Sequence, residues 1–120
     1  MDTWTLELPF QRPLSLNDRM HHMVRYRKAK PYREAACWLA KAAKIPPCER
    51  IKVVLVYTPP DRRRRDPINL TATQKVAEDG LVDAGVVPDD TPRYVQSLMP
   101  IIDLPNKDKP TLKLVIERIA

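Results

Sequence analysis

With 120 residues, 43% of them apolar, the chain has the length of a single domain built on one core, spanning residues 1–120. Lysine and arginine number 21 against 15 acids, giving a formal charge of +6 and an isoelectric point near 9.5, which favours a polyanionic partner without identifying it. No apolar run approaches the ~20 residues needed to cross a bilayer, and Met1-Asp2-Thr3-Trp4 lacks the basic and apolar regions of a secretory signal. A soluble, cytoplasmic protein without membrane contact is expected. The two cysteines, Cys37 and Cys48, form no Cys-x-x-Cys pair, and His21-His22 lie too far away to complete a familiar zinc pattern, so reduced thiols are expected.

In chain order, Thr3 to Leu8 alternates Trp4, Leu6 and Leu8 with Thr5 and Glu7, the pattern of a half-buried strand closed by Pro9. From Phe10 to Lys30, prolines and scattered positive charge predict an irregular basic arm, with a helical turn near Asp18 to Arg25. Pro31 suits the first turn of a helix, and Tyr32, Ala35, Ala36, Leu39, Ala42 and Ala43 then recur at helical spacing through Lys44. Ile51 to Tyr57 is β-branched and apolar throughout, which predicts an interior strand. A second helix is expected between Pro67 and Ala84. Leu70, Ala77, Leu81 and Ala84 form its core stripe, Gly80 marks a close packing contact, and Gly85 caps its end. Tyr94 to Ile102 and Leu112 to Ile119 read as two further strands around a turn from Pro105 to Pro110. The order β-α-β-α-β-β defines an α+β domain: a mixed sheet of about four strands packed with two main helices.

The stretch with chemistry runs from Arg62-Arg63-Arg64-Arg65-Asp66 through Asn69, Lys75 and Asp79 to Asp89-Asp90. Arginines hold phosphates, and a second basic block at Arg19, Arg25, Arg27, Lys28, Lys30 and Arg33 extends that capacity. Carboxylates beside such a strip repel nucleic acid unless they hold divalent cations, so the combination points to a metal-dependent DNA nuclease. Each feature also has an ordinary reading. Asp66 before Pro67 is a good helix cap. Asp89-Asp90 between Pro88 and Pro92 suits a turn. Lys75 and Asp79, one helical turn apart, suit a surface ion pair worth at most ~0.5 kcal/mol.

Arg-Arg-Arg-Arg-Asp-x-x-Asn-Leu, a lysine four residues before Asp-Gly-Leu, and then Ala-Gly and Asp-Asp together resemble the RusA-type Holliday junction resolvases, small endonucleases of phages and prophages. Ser15-Leu16-Asn17 and Tyr32-Arg33 echo the same pattern. The resemblance covers most of the chain and is specific from Arg62 to Asp90. It implies a Mg²⁺-dependent homodimer (with Mn²⁺ as a substitute ion and no organic cofactor) that cuts four-way and other branched DNA in recombination and repair. By position, Asp66, Asp89 and Asp90 become metal ligands and Lys75 the supporting cation, with Asp79 and Asn69 as further members. Arg62, Arg63, Arg64, Arg65, Arg25, Arg27, Lys28 and Lys30 become the DNA contacts.

Two departures from the family pattern bear on activity. Ile68 stands where the family has a second aspartate, and three extra residues fall between Asn69 and Lys75. Asn69, Asp79 or a water fills the lost ligand position, or the protein binds junctions and cuts them poorly. A continuous helix from Pro67 to Ala84 would also span roughly 27 Å. For Asp66 and Asp90 to share a site, the following loop must fold back, the helix must start later, or a partner subunit must supply one acid. Besides a nuclease, the residues allow a silent binder of branched DNA. A single-strand or RNA binder is disfavoured by the 6% aromatic content, too little for a base-stacking platform.

Overall fold

The computed structural model describes residues 2–9 and 22–120; for residues 22–26 it describes the backbone alone. Residues 10–21 of the expected arm, with Arg19 and Ser15-Leu16-Asn17, and the Arg25 side chain lie outside the described residues.

The described chain forms β1 (Thr3–Leu8), α1 (His22–Ala42), β2 (Ile51–Thr58), a 3₁₀ turn (Pro67–Leu70), α2 (Thr71–Asp83), β3 (Val95–Ser97), β4 (Ile101–Ile102) and β5 (Thr111–Arg118). It is an α+β domain with two helices and a mixed sheet of five strands among the described residues. The order is β1-β5-β2-β3, with β4 continuing beside β2. β5 runs antiparallel to both β1 and β2, while β3 and β4 run parallel to β2. β2 therefore separates β4 from β5, and the turn expected between the last two strands crosses the end of β2.

The alternation read from the sequence sets which face is buried. Leu6, Leu55 and Leu114 stand in register, as do Leu8, Tyr57 and Leu112, and all six are buried. α1 and α2 lie over this face through Tyr32, Ala36, Ala40, Ala77 and Leu81. Each fully buried leucine or isoleucine contributes about 1.5–3 kcal/mol. The opposite face, with Lys52, Val54, Val56, Lys113 and Val115, is half-exposed, so β2 is interior in its neighbours and buried on one side.

Gly80 is where the helices touch. A Cβ there would stand 2.3 Å from the Arg33 carbonyl oxygen and 2.8 Å from Ala36 Cβ, and the small residues of α1 make that approach possible. Arg33 ties the same helices from outside, donating to both carboxylate oxygens of Asp83 at 2.6 and 2.9 Å. These bonds hold the Asp83 carboxyl below the usual range. Arg33 is thus committed to a structural pair, whatever its place in the basic block.

Two expectations require correction. α1 begins at His22 and carries Pro31 in its interior, so residues 22–30 are helix instead of irregular arm. Pro31 removes one i to i−4 bond but sits on the exposed side, where the lost bond and ring crowding are tolerated. The strand expected from Tyr94 to Ile102 divides in two. Val53 pairs with Ser97 and Val56 with Ile101, so two residues of β2 face three on the other side, a one-residue bulge. The second helix lies within its expected bounds, entered through a 3₁₀ turn and α-helical from Thr71. Gly85, at φ +81°, follows it in the left-handed region, as its place after the helix foretold.

Candidate active site

The bulge and α2 build the site together. At the bulge the Leu55 amide has no strand partner, and Gln74 Oε1 accepts its hydrogen bond at 2.8 Å. Gln74 Nε2 donates to the Leu98 carbonyl at 2.8 Å and to Ser97 Oγ at 2.9 Å. Ser97 Oγ in turn donates to Glu78 Oε2. Gln74 and Glu78 are 2% and 3% exposed while Ser97 and Leu98 are exposed, so the network runs from the interior to the surface, and satisfying it fixes α2 against the sheet edge. Burial pushes the Glu78 carboxyl up from its ordinary value, outweighing the hydrogen bonds from Ser97 and Gln74 that draw it down. The sequence signal for this pair was present: Leu70, Gln74, Ala77, Glu78 and Leu81 share one helical face, so two polar residues lie on a core stripe.

Beside the network opens a cleft of about 270 Å³ lined by Thr71, Gln74, Lys75, Glu78, Ser97, Leu98 and Met99. Lys75, one of the lining residues, is held by two carboxylates, neither of which lines the cleft itself. Its Nζ is 2.9 Å from Asp79 Oδ1, one turn along α2, and it also pairs with Asp90 Oδ2. The loop after α2 therefore folds back until Asp90 lies against the second turn of the helix. Asp90 Oδ2 is closed off from solvent and takes no hydrogen bond of regular geometry; the Lys75 ammonium is its partner, as an ion pair.

The other sequence-derived candidates stand elsewhere. Asp66 caps the 3₁₀ turn, its Oδ1 accepting from the Ile68 amide at 3.2 Å. Roughly 15 Å of axial rise separates it from Lys75, at ~2.0 Å per residue through the 3₁₀ turn and ~1.5 Å through α2. Asp89 is exposed and its Oδ1 accepts from the Asp90 amide at 2.8 Å. Asn69 is half-buried, and its amide donates to the Asp66 carbonyl at 3.0 Å. Among the described residues no three of His, Cys, Asp and Glu converge as a metal-holding group, so neither Asp66 nor Asp89 joins Asp79 and Asp90.

The arginine run divides. Arg62, Arg63 and Arg64 are exposed, but Arg65 is folded inward. Its guanidinium donates to Asp61 Oδ1 at 2.8 Å and to the carbonyl oxygens of Asp61 and Arg63, and it lies 5.7 Å from the Tyr57 ring centre. The Arg63 amide and the Arg65 guanidinium together hold the Asp61 carboxyl below its ordinary value. Arg65 thus shapes the loop, leaving three arginines turned to solvent. On α1, Arg27 and Lys28 are exposed, and Lys30 is 3.7 Å from Glu34. No helix among the described residues is long and apolar enough to cross a membrane.

No protein-family model and no curated protein matches the chain.

Proposed function

We propose that the chain is a Mg²⁺-dependent, structure-specific endodeoxyribonuclease of the RusA resolvase type, a cytoplasmic homodimer that hydrolyses a phosphodiester in branched DNA. One observation carries the reading: two carboxylates from different segments, Asp79 and Asp90, converge on a single cation, Lys75, that lines a cleft. Mg²⁺ is characteristically held by one or two carboxylates, with water and substrate phosphate completing its shell. The donor set fits that ion, since it is all oxygen and includes a solvent-excluded oxygen whose sole partner is an ammonium. When bound, the ion supplies an activated water and offsets charge developing at the phosphate.

The chain's own residues supply the rest. Arg62, Arg63 and Arg64 hold backbone phosphates through charge, giving an affinity that falls steeply with salt. Lys75 offsets one of the two negative charges of Asp79 and Asp90 before an ion arrives, and its place in the cleft lining puts a cation beside an incoming phosphate. Recognition rests on the shape and deformability of the branch more than on base edges. Paired cuts in a symmetric junction call for two sites related by a two-fold axis, hence the homodimer.

Incubating pure protein with a synthetic four-way junction and Mg²⁺ tests the proposal, and nicked arms are expected. The second reading, a junction binder that does not cut, is favoured by exposed Ile68 beside an Asp66 engaged in its own cap. Gel shifts without nicks would select it.

A further inference from the structure

A second and larger cleft, about 840 Å³, opens between the loop after β2 and the loop after β4. Its lining includes half-buried Pro60 with exposed Arg62 and Arg63 from the first loop, and exposed Leu104 and Lys107 from the second. Leu104 is 82% exposed, so its side chain is available to a ligand in the cleft. The two acids of the lining are occupied. Asp61 is paired with Arg65 and Arg63, and Asp103 Oδ1 accepts from the Leu104 amide at 2.8 Å. The lining holds four cations, Arg62, Arg63, Arg65 and Lys107, against two acids, and its excess positive charge beside apolar side chains matches what one nucleotide presents, an anionic phosphate and an apolar base face. The chain from Ser97 to Lys107 borders both clefts, lining the smaller through Leu98 and Met99 and the larger through Leu104 and Lys107.

We infer that the cleft between Pro60 and Leu104 receives an unstacked nucleotide of branched DNA, its base against these two side chains and its phosphate on Arg62, Arg63 or Lys107. A fully paired duplex offers no free base face, so the cleft gives the protein a preference for branch points over linear DNA. This rests on the nuclease reading for its substrate class, but it concerns binding and needs no cleavage. Leu104 belongs to no core cluster, so truncating it leaves the fold intact.

The test uses a four-way junction carrying 2-aminopurine at the crossover, with Ca²⁺ in place of Mg²⁺. Affinity for the junction is compared with affinity for linear duplex of equal length. Wild-type binding is expected to raise the fluorescence as the base leaves its stack. Leu104→Ala should remove most of that rise and cut the junction-over-duplex preference about five- to tenfold, the scale of part of one buried leucine side chain lost from the contact. Lys107→Ala should lower the preference in the same direction. If both variants keep the rise and weaken junction and duplex alike, the cleft is a backbone contact only and the inference fails while the nuclease reading stands. A wild-type chain that binds no junction removes the nuclease reading, and this inference with it.

Discussion

Replacing Lys75 with methionine separates the role of its charge from that of its stem. In the absence of divalent ions the variant loses the pairs to Asp79 and Asp90. Lys75 is largely exposed, so the Asp79 pair is worth no more than ~0.5–1 kcal/mol. The solvent-excluded Asp90 oxygen loses its one partner, which costs about 1–3 kcal/mol. Destabilisation of about 1–3 kcal/mol follows. Mg²⁺ should stabilise the variant more than the wild type: in the wild type it competes with an internal ammonium, and in Lys75→Met it does not. If removing about 1.4 kcal/mol of competition tightens binding tenfold, then at an ion concentration ten times the wild-type Kd the stabilisation rises from ~1.4 to ~2.7 kcal/mol. For a 120-residue domain that difference is about 3–6 °C in Tm. Thermal melts with MgCl₂, and with NaCl at matched ionic strength, read it directly. A Mg²⁺-dependent shift no larger in the variant than in the wild type would refute Asp79 and Asp90 as the ligands.

Gly80→Ala should destabilise the fold by about 1–3 kcal/mol in urea titration, because the added methyl meets the α1 backbone and overpacking outweighs the ~1 kcal/mol gain in helix propensity. Glu78→Gln tests the buried network through pH. The folded state raises the Glu78 pKa above 4.5, so it binds the proton more tightly than the unfolded chain does. Wild-type stability should therefore fall, relative to Glu78→Gln, as pH rises from about 4.5 through the folded value, and level off above it. A difference that is flat with pH would show that Glu78 titrates normally. Changing Arg63 and Arg64 together to glutamine should weaken junction binding and reduce its logarithmic salt slope by about 2, one unit per phosphate contact. An unchanged slope would place DNA elsewhere.

Much of the fold was legible because period-two alternation and helical stripes translate directly into buried faces: Leu6 and Leu8, Leu112 to Ile116, and Leu70 to Leu81 all lie where the pattern put them. The two glycines were legible for a related reason, since a missing side chain inside a helix and just beyond it has few physical uses. The helix start was not, because Pro31 fits a first turn as well as it fits an exposed interior position. Neither was the bulge after Ser97, which depends on Gln74 reaching across to the Leu55 amide, a contact nineteen residues apart. At the site, the Lys75–Asp79 spacing foretold one ion pair, and the acid at position 90 joined it only through the path of a loop. Arg65 shows the limit of reading charge runs. Four identical neighbours carry no mark of which one stacks on Tyr57 and which three face water.

The most direct test of the account compares wild type and Asp90→Asn on one synthetic four-way junction with Mg²⁺, scoring nicks and affinity in the same samples. The wild type should cut with symmetric placement. Asp90→Asn should bind as well or better, since a charge that repels phosphate is gone, while cleavage is abolished. Equal cutting by the two proteins, or no cutting by the wild type with any divalent ion, would contradict the assignment of Asp79 and Asp90 as the hydrolytic centre.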